Sequence, residues 1–160
     1  VTLMEVNIRR ASLKDIPYLT KLLLEVHRVH SDVRPDLFKR GAKKYSEEEL
    51  TSMITTEIDP IFVAVAFDRV IGYAFCIHKE VKKHNSLQDL RTLYIDDLCV
   101  DEEFRGEHIG KMLYEYVLAY AKEKNYYNVT LNVWADNINA VKFYERIGMR
   151  IQKIGMEAIL

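Results

Sequence analysis

The chain has 160 residues, of which 49% are hydrophobic and 29% are charged, a balance typical of one domain with a full hydrophobic core. Its 23 basic and 24 acidic residues leave a net charge of −1, which gives no global argument for a nucleic acid or an anionic membrane as partner. The two cysteines and five histidines lack disulfide-framework or metal-ligand spacing, and we find no secretory signal or long apolar run; we therefore expect a metal-free, cytoplasmic, single-domain protein spanning residues 1–160.

The amino-terminal part of the chain predicts a strand followed by a helix. The first methionine is Met4, which leaves open whether residues 1–3 are native. Residues 6–10 alternate apolar and polar side chains, as strands do. Ser12 or Asp15 can cap the next helix, and Pro17 is tolerated in its first turn. Apolar side chains recur at helical spacing along that helix: Ile16, Leu19, Leu22, Leu23, Val26 and Val29.

A loop and a second helix are expected next. Residues 30–45 are mixed in charge, and Arg34-Pro35-Asp36 interrupts the helical pattern. Ser46 and Glu49 have the spacing of a capping box, which predicts a helix that continues to about residue 57.

Three strands are predicted in the middle of the chain. Residues 61–67 and 70–78 are apolar runs with a β bias, and Asp68-Arg69 between them predicts a hairpin turn. Residues 79–91 form a polar loop. Residues 92–100 predict the strand that follows this loop.

The last third of the chain predicts a helix, a strand, a second helix and two short strands. A long amphipathic helix begins near Ile109, and residues 128–134 alternate as a strand. Residues 137–147 predict a helix that Gly148 ends. Terminal strands are expected at 149–154 and 156–160. The predicted order β-α-α-β-β-β-α-β-α-β-β corresponds to a mixed α/β fold, with a central mixed sheet flanked by helices.

The turn before the long helix has the features of an anion site. Gly106 and Gly110 bracket the helix start, where backbone N–H groups have no intrahelical partner. The positive end of the helix dipole adds to them. Together they favour a bound phosphate or pyrophosphate.

Two segments resemble motifs of the GCN5-related N-acetyltransferases. Arg105-Gly106-Glu107-His108-Ile109-Gly110 resembles the (Arg/Gln)-x-x-Gly-x-(Gly/Ala) turn that holds the pyrophosphate of acetyl-CoA in that family. Asn137, Ala140, Tyr144 and Gly148-Met149 resemble the family's Asn-x-x-Ala-x-x-x-Tyr-x-x-x-Gly-Phe segment. The resemblance implies the acyl-CoA N-acyltransferase fold, acetyl-CoA as co-substrate and no metal. It places the following residues at the coenzyme: Leu98, Cys99, Val100, Arg105, Gly106, Glu107, His108, Ile109, Gly110, Lys111, Asn137 and Ala140.

His108 departs from the family pattern, which usually has its middle glycine at this position. Glycine allows close approach of the backbone to phosphate, whereas a helical histidine can still donate its backbone N–H. The imidazole either adds a contact to the coenzyme or faces solvent. We expect it to face solvent.

The resemblance also implies catalytic residues. Tyr144 matches the tyrosine that gives a proton to the leaving CoA thiolate, and its alternative role is core packing beside Phe143. A backbone N–H of residues 98–100 is implied as the donor to the oxyanion.

An acidic doublet, Asp96-Asp97, supplies candidate bases. It resembles a doublet of diamine and thialysine acetyltransferases whose first member faces the acceptor amine, so we choose Asp96. Asp97 and an ordered water are alternatives for the base, and a purely structural role is an alternative for Asp96. Because side chains alternate across a strand, only one carboxylate should face the cleft unless a bulge intervenes.

We therefore expect an acetyl-CoA-dependent N-acetyltransferase that acts by direct attack of a primary amine in a ternary complex. The acidic doublet favours a small amine acceptor, such as a polyamine or an amino-acid derivative. A protein N-terminus or lysine is an alternative acceptor, although Asn132 stands where some N-terminal acetyltransferases of the family use glutamate. A non-catalytic CoA-binding sensor module is a further alternative, against which Tyr144 argues. The fold also allows a homodimer.

Overall fold

A central sheet of five strands organises the chain in this computed structural model, which describes residues 4–160. The strands lie in sequence order: β1 (Asn7–Arg10), β2 (Ile61–Ala66), β3 (Arg69–Val81), β4 (Leu90–Val100) and β5 (Asn128–Leu131). The first four are antiparallel to their neighbours, whereas β5 runs parallel to β4. The helices are α1 (Ile16–Val33), α2 (Glu47–Thr56), α3 (Ile109–Glu123) and α4 (Ile138–Arg146). The mixed α/β class is therefore confirmed, while the question about residues 1–3 lies outside the described residues.

Local signals place the first two helices. Ser46 Oγ accepts a hydrogen bond from the N–H of Glu49 at 3.1 Å, and Glu49 accepts one from the N–H of Ser46 at 3.2 Å, so the capping box opens α2. α1 has Pro17 in its first turn and continues to Val33, four residues into the predicted loop. It ends just before Arg34-Pro35, where the helical conformation is disfavoured. Among the described residues, no helix is both long and apolar enough to span a bilayer.

Apolar side chains cover both faces of the sheet. α3 packs on one face, where its buried residues join those of β3 and β4 in a single cluster. α1 and α2 pack on the other face, through Leu19, Leu22, Leu23 and Leu50. Val29 is 56% exposed, so the apolar stripe of α1 ends before the helix itself does.

The hairpin between β2 and β3 turns one residue earlier than predicted. Phe67 and Asp68 have positive φ values of 53° and 58°, and Arg69 already belongs to β3. Two central residues in the left-handed region are the signature of the hairpin turn that suits the strand twist. This turn was not predicted because Phe67 continues the apolar run of β2.

β4 and β5 separate at the centre of the molecule. Their parallel pairing covers Thr92 to Ile95 of β4 and all of β5. β5 stops at Leu131 instead of reaching residue 134 as predicted, whereas β4 continues to Val100. One edge of β4 beyond Ile95 therefore has no strand beside it in the described chain. The resulting opening exposes backbone polar groups to a ligand.

The two predicted terminal strands are absent from the described structure. Residues 149–160 contain no helix and no paired strand, which corrects the last two elements of the predicted order. In this terminal segment (residues 150–160) five apolar side chains are each at least 65% exposed: Ile151, Ile154, Met156, Ile159 and Leu160. The apolar pattern is strand-like, but a strand needs a hydrogen-bonding neighbour, and these residues form no ladder with β5 or another described strand. Glu157 instead forms an ion pair with Arg34 at 3.0 Å.

Candidate active site

The turn between β4 and α3 has the conformation of an anion site. Gly106 has φ of +87°, and α3 begins at Ile109. A Cβ atom built on Gly106 would have no neighbour within 4 Å, so the turn is open to a ligand on this side. No side chain caps the first N–H groups of α3. With Arg105 before these N–H groups and Lys111 among them, the turn fits a pyrophosphate.

His108 is the residue where the backbone of this turn is unusual. It is the N-cap of α3 and has φ of +61°, in the left-handed region that glycine adopts most easily. This conformation explains why a glycine is typical of the family pattern at this position. It also corrects the expectation of a helical histidine. The side chain is exposed and makes no capping hydrogen bond, as expected for an imidazole that faces solvent.

Gly110 joins the turn before α3 to α4. A Cβ atom at Gly110 would lie 3.2 Å from Cζ of Phe143, which is tight for side-chain packing. The glycine therefore allows Phe143 to pack on the first turn of α3. The next residue, Tyr144, points about 100° away from Phe143 around α4, and its ring meets the Phe143 ring edge-on at a centroid distance of 5.1 Å.

Asn137 begins α4 and has a structural role that the sequence did not reveal. Its side-chain oxygen accepts a hydrogen bond from the N–H of Ala140 at 3.2 Å, so Asn137 caps the helix. The side-chain NH2 group takes no part in this bond, so it could donate a hydrogen bond to a coenzyme. Asn137 and Ala140 thus lie together at the start of α4.

Tyr144 lies close to the end of β4. Burial raises its pKa to about 12, and the nearby groups of Asp97 and Cys99 add to the shift. The phenol therefore keeps its proton at neutral pH. A protonated phenol beside the opening between β4 and β5 can act as a proton donor.

A β-bulge places the two carboxylates of the acidic doublet on the same side. Ile95 pairs with Cys76, and Asp97 pairs with Phe75, so Asp96 is an extra residue in β4. Asp96 and Asp97 bind tyrosines whose rings both pack against Phe75 on the α1/α2 face. The alternation rule, which would have turned one carboxylate away, does not hold here.

The partners of Asp96 come from the segment before α2. The hydroxyl of Tyr45 donates a hydrogen bond to Asp96 Oδ2, and Lys44 Nζ lies 2.9 Å from the same oxygen. The ring of Tyr45 stacks on Phe75 at a centroid distance of 5.2 Å. Only 12% of the Asp96 side chain is exposed. The carboxylate is therefore held firmly at the edge of the cleft.

Asp97 is the deeper carboxyl group. Burial raises its pKa, while the hydrogen bond from Tyr73 and the positive charge of Lys44 lower it only in part. The hydroxyl of Tyr73 donates to Asp97 Oδ2 at 2.8 Å. A raised pKa brings a carboxyl group closer to the range in which it exchanges protons at neutral pH.

Three of these partners were missed by sequence reasoning, namely Lys44, Tyr45 and Tyr73. Tyr45 had a usable signal, because it precedes the N-cap Ser46 and shares a core cluster with Leu50, as in a hydrophobic staple. Lys44 lay in a segment interpreted only as a loop. Tyr73 was hidden in an apolar strand.

Aromatic and charged side chains form the rim of the cleft beside the doublet. His30 stacks on Phe38 at 5.3 Å, and Phe38 meets the ring of Trp134 edge-on at 6.1 Å. The guanidinium of Arg34 lies 5.8 Å from the Trp134 ring. Burial lowers the pKa of His30, which favours its neutral form. Trp134 therefore packs with the α1 end of the molecule and is 45% exposed at the rim.

The cysteines are inert in this arrangement. Burial raises the pKa of Cys76 and of Cys99 to about 12, so neither thiol is ionised at neutral pH. Acyl transfer through a cysteine nucleophile therefore has no support here. Among the described residues, no group of three or more His, Cys, Asp or Glu side chains could hold a metal ion.

The fold and this site define a class of protein, and a family comparison gives the same class. The model of the acetyltransferase (GNAT) family matches residues 25–149, which is most of the chain. The chain belongs to this family, and its activity is that of an acetyl-CoA-dependent N-acetyltransferase.

Individual relatives span most of the chain. The peptidyl-lysine N-acetyltransferase YjaB of Salmonella typhimurium is 30% identical over 149 residues, which cover 92% of this chain and 86% of YjaB. The uncharacterized N-acetyltransferase MJ1207 of Methanocaldococcus jannaschii is 24% identical over 74% of this chain, which spans about half (51%) of that protein. A crystal structure of a BH1408 variant from Bacillus halodurans superposes with a TM-score of 0.91 at 30% identity and covers 96% of this chain and 99% of its own.

Proposed function

We propose that this enzyme acetylates a small molecule with a primary amine that is cationic at neutral pH, such as a polyamine or an amino-acid derivative. The observation that carries this proposal is the bulge in β4, which presents Asp96 and Asp97 to the same side of the cleft. Two carboxylates beside the proton donor Tyr144 favour a positively charged acceptor. Transfer is direct, in a ternary complex, because the buried cysteines offer no nucleophile.

The coenzyme would bind across the opening between β4 and β5. Residues 105–111 would hold its pyrophosphate, Leu98, Cys99 and Val100 would line its reactive end, and Asn137 and Ala140 would contact it from α4. When bound, acetyl-CoA supplies an acetyl thioester. The turn fits this group, because its glycine leaves open space and its helix N–H groups have no side-chain cap.

The residues of the chain divide the proton transfers between them. Asp96 holds the acceptor ammonium and removes its proton, which makes the amine nucleophilic. A backbone N–H of residues 98–100 donates to the carbonyl oxygen as negative charge develops on it. Tyr144 gives its proton to the departing sulfur. The phenol has this proton to give because its pKa is raised.

Asp97 is the rival for the role of base, because burial raises its pKa. Asp96→Asn and Asp97→Asn separate the two assignments when kcat/KM is followed against pH. Loss of the base abolishes the acid limb of the profile and lowers the rate by about 10²–10⁴-fold. Loss of a residue that only binds the ammonium raises KM and keeps the limb.

A lysine side chain of a protein is the second candidate acceptor. YjaB, which is 30% identical, is named a peptidyl-lysine N-acetyltransferase. The partly exposed rim around Trp134 offers a surface on which a peptide could lie. A lysine would place the same cationic amine at Asp96.

Acetyl-CoA turnover across a panel of polyamines, amino-acid derivatives and lysine peptides tests the proposal. We expect the highest kcat/KM with a small amine, and a loss of about 10²-fold or more in Tyr144→Phe. Tyr127→Phe is the matched control, because Tyr127 is 76% exposed and outside the site. Higher kcat/KM with peptides would favour the second acceptor class. Tight CoA binding without turnover of any amine would leave only a non-catalytic CoA-binding module.

A further inference from the structure

A lysine of the chain itself occupies the acidic site. Lys44 Nζ lies 2.9 Å from Asp96 Oδ2 and also donates a hydrogen bond to the main-chain oxygen of Asp96 at 3.3 Å. Lys44 is a primary amine, the same chemical group as the proposed acceptors. It therefore lies where the proposed function places the ammonium group of the substrate.

The neighbouring Tyr45 fixes the position of Lys44. Its ring stacks on Phe75 of β3, and its hydroxyl donates to the carboxylate of Asp96. These two contacts hold the backbone before α2 against the sheet. The side chain of Lys44 therefore lies beside the acidic doublet. Among the described residues, no other ammonium or guanidinium group forms an ion pair with Asp96 or Asp97.

Lys44 can also reach the unpaired part of β4. From Asp96 to Leu98 is about 7 Å along an extended strand. The flexible four-carbon stem of a lysine can cover much of that distance by rotation about its bonds. The side chain is 44% exposed, so part of it is not packed against the protein.

We propose that Lys44 is a self-acetylation site, modified within its own chain by the same active site. This inference rests on the proposed function. Lys44 Nζ gives one proton to Asp96, which later passes it to solvent, and forms a bond to the acetyl carbon. The carbon–sulfur bond breaks with its electron pair on sulfur, Tyr144 protonates that sulfur, and the second proton that leaves Nζ restores the Tyr144 phenol. The products are Nε-acetyl-lysine and free CoA thiol.

The modification removes the positive charge of Lys44, and with it the ion pair to Asp96. Lys44 thereby changes from an internal cation on Asp96 into a neutral amide at the rim. The acceptor site then presents its carboxylates without this competing ammonium.

Incubation of the full-length protein with isotope-labelled acetyl-CoA, followed by peptide mapping with mass spectrometry, tests the inference. We expect the label at Lys44, its loss in Lys44→Arg and its retention in the matched control Lys43→Arg. Tyr144→Phe should slow labelling at least about tenfold. The labelled fraction at a fixed time should stay constant over a tenfold range of protein concentration, because the reaction occurs within one chain.

Several results would overturn the inference. Labelling spread evenly over Lys39, Lys43 and Lys44 would indicate uncatalysed acetylation by the thioester. Labelling that grows with protein concentration would show transfer between molecules. The amine panel distinguishes this failure from failure of the proposed function. If a small amine is acetylated while Lys44 stays unlabelled, only the self-acetylation inference is wrong. If CoA binds but neither a small amine nor Lys44 is acetylated, both the inference and the proposed function are wrong.

Discussion

At the scale of single residues, Asp97 combines a cost in stability with a place in the site. Its pKa is raised by burial, so the folded protein holds the Asp97 proton more tightly than the unfolded chain does. A group of this kind makes the folded state less stable as pH rises from the ordinary carboxyl pKa through the raised one. The penalty is therefore absent in acid and grows as the pH rises through the raised pKa.

Asp97→Asn should raise the Tm at pH 7, because the amide carries no charge to bury and can still accept the hydrogen bond of Tyr73. The gain should shrink towards pH 4, because protonation of the wild-type carboxyl group removes the buried charge. Thermal unfolding at both pH values measures it, with Asp68→Asn as an exposed control. An equal gain at both pH values would assign the effect to packing instead of charge.

His108 allows the backbone and the side chain of the coenzyme turn to be tested separately. A left-handed non-glycine residue costs about 1 kcal/mol, and glycine loses a similar amount through the flexibility of the unfolded chain. His108→Gly should therefore leave both the Tm and the CoA affinity nearly unchanged. Isothermal titration with CoA checks this, and a marked fall in affinity would show that the imidazole itself contacts the coenzyme.

His108→Val is the matched comparison, because a β-branched side chain strongly disfavours positive φ. It should lower the Tm and weaken CoA binding together. If valine were tolerated as well as glycine, the left-handed conformation would not matter for the turn.

At the scale of secondary-structure elements, the contact between α3 and α4 holds together the two segments of the proposed site, which are the turn before α3 and the helix α4. Gly110→Ala should push Phe143 away from the first turn of α3, since the new Cβ would lie 3.2 Å from its ring. Overpacking of this kind costs about 1–3 kcal/mol. The displacement of α4 should also raise the KM for acetyl-CoA and lower kcat, because Asn137 and Tyr144 lie on that helix.

Gly155→Ala is the control for this substitution, because its Cβ would meet no atom within 4 Å. Unfolding curves and steady-state kinetics of the two variants should differ in both stability and KM. Equal behaviour would mean that the α3–α4 contact does not position the site.

The elements also show what the sequence could and could not predict. Capping at Ser46 and Gly148 and the apolar periodicity of α3 are local signals, and the helices they predict are present. The bulge at Asp96 depends on the register between two strands, which no local pattern of β4 reveals. The roles of Asp96 and Tyr144 stay predictions, although the structure brings the acidic doublet and the tyrosine to one cleft.

At the scale of the whole molecule, the terminal segment differs from the rest of the chain. The apolar pattern of residues 149–160 predicted two strands, and this prediction is wrong. A strand requires a hydrogen-bonding neighbour, which the local pattern does not specify. The neighbour is a property of the complete fold. The same reasoning explains why the length of β5 was overestimated.

Limited proteolysis with trypsin should cut after Arg150 and Lys153 before it cuts in α3. Both residues are exposed in a segment without backbone pairing, whereas Lys111 and Lys122 lie in a helix. Mass spectrometry of early digests at two protein concentrations measures the order of cleavage. Cleavage in α3 at the same rate would contradict the prediction that the terminal segment is the more accessible one. Cleavage of the terminal segment that slows at high protein concentration would indicate that a second copy of the chain covers it.

The bulge in β4 has a consequence for which changes in chain length the protein can accept. Before it, Leu93 and Ile95 face the α3 cluster, and after it Leu98 and Val100 do so, which shifts the side-chain phase by one residue. Deleting Asp96 would restore simple alternation, with Leu98 and Val100 still facing the α3 cluster and Asp97 still on the opposite face. The deletion of Asp96 should therefore leave a folded protein that has lost the acidic doublet, and the exposed loop at residues 82–89 should also accept gains and losses of length.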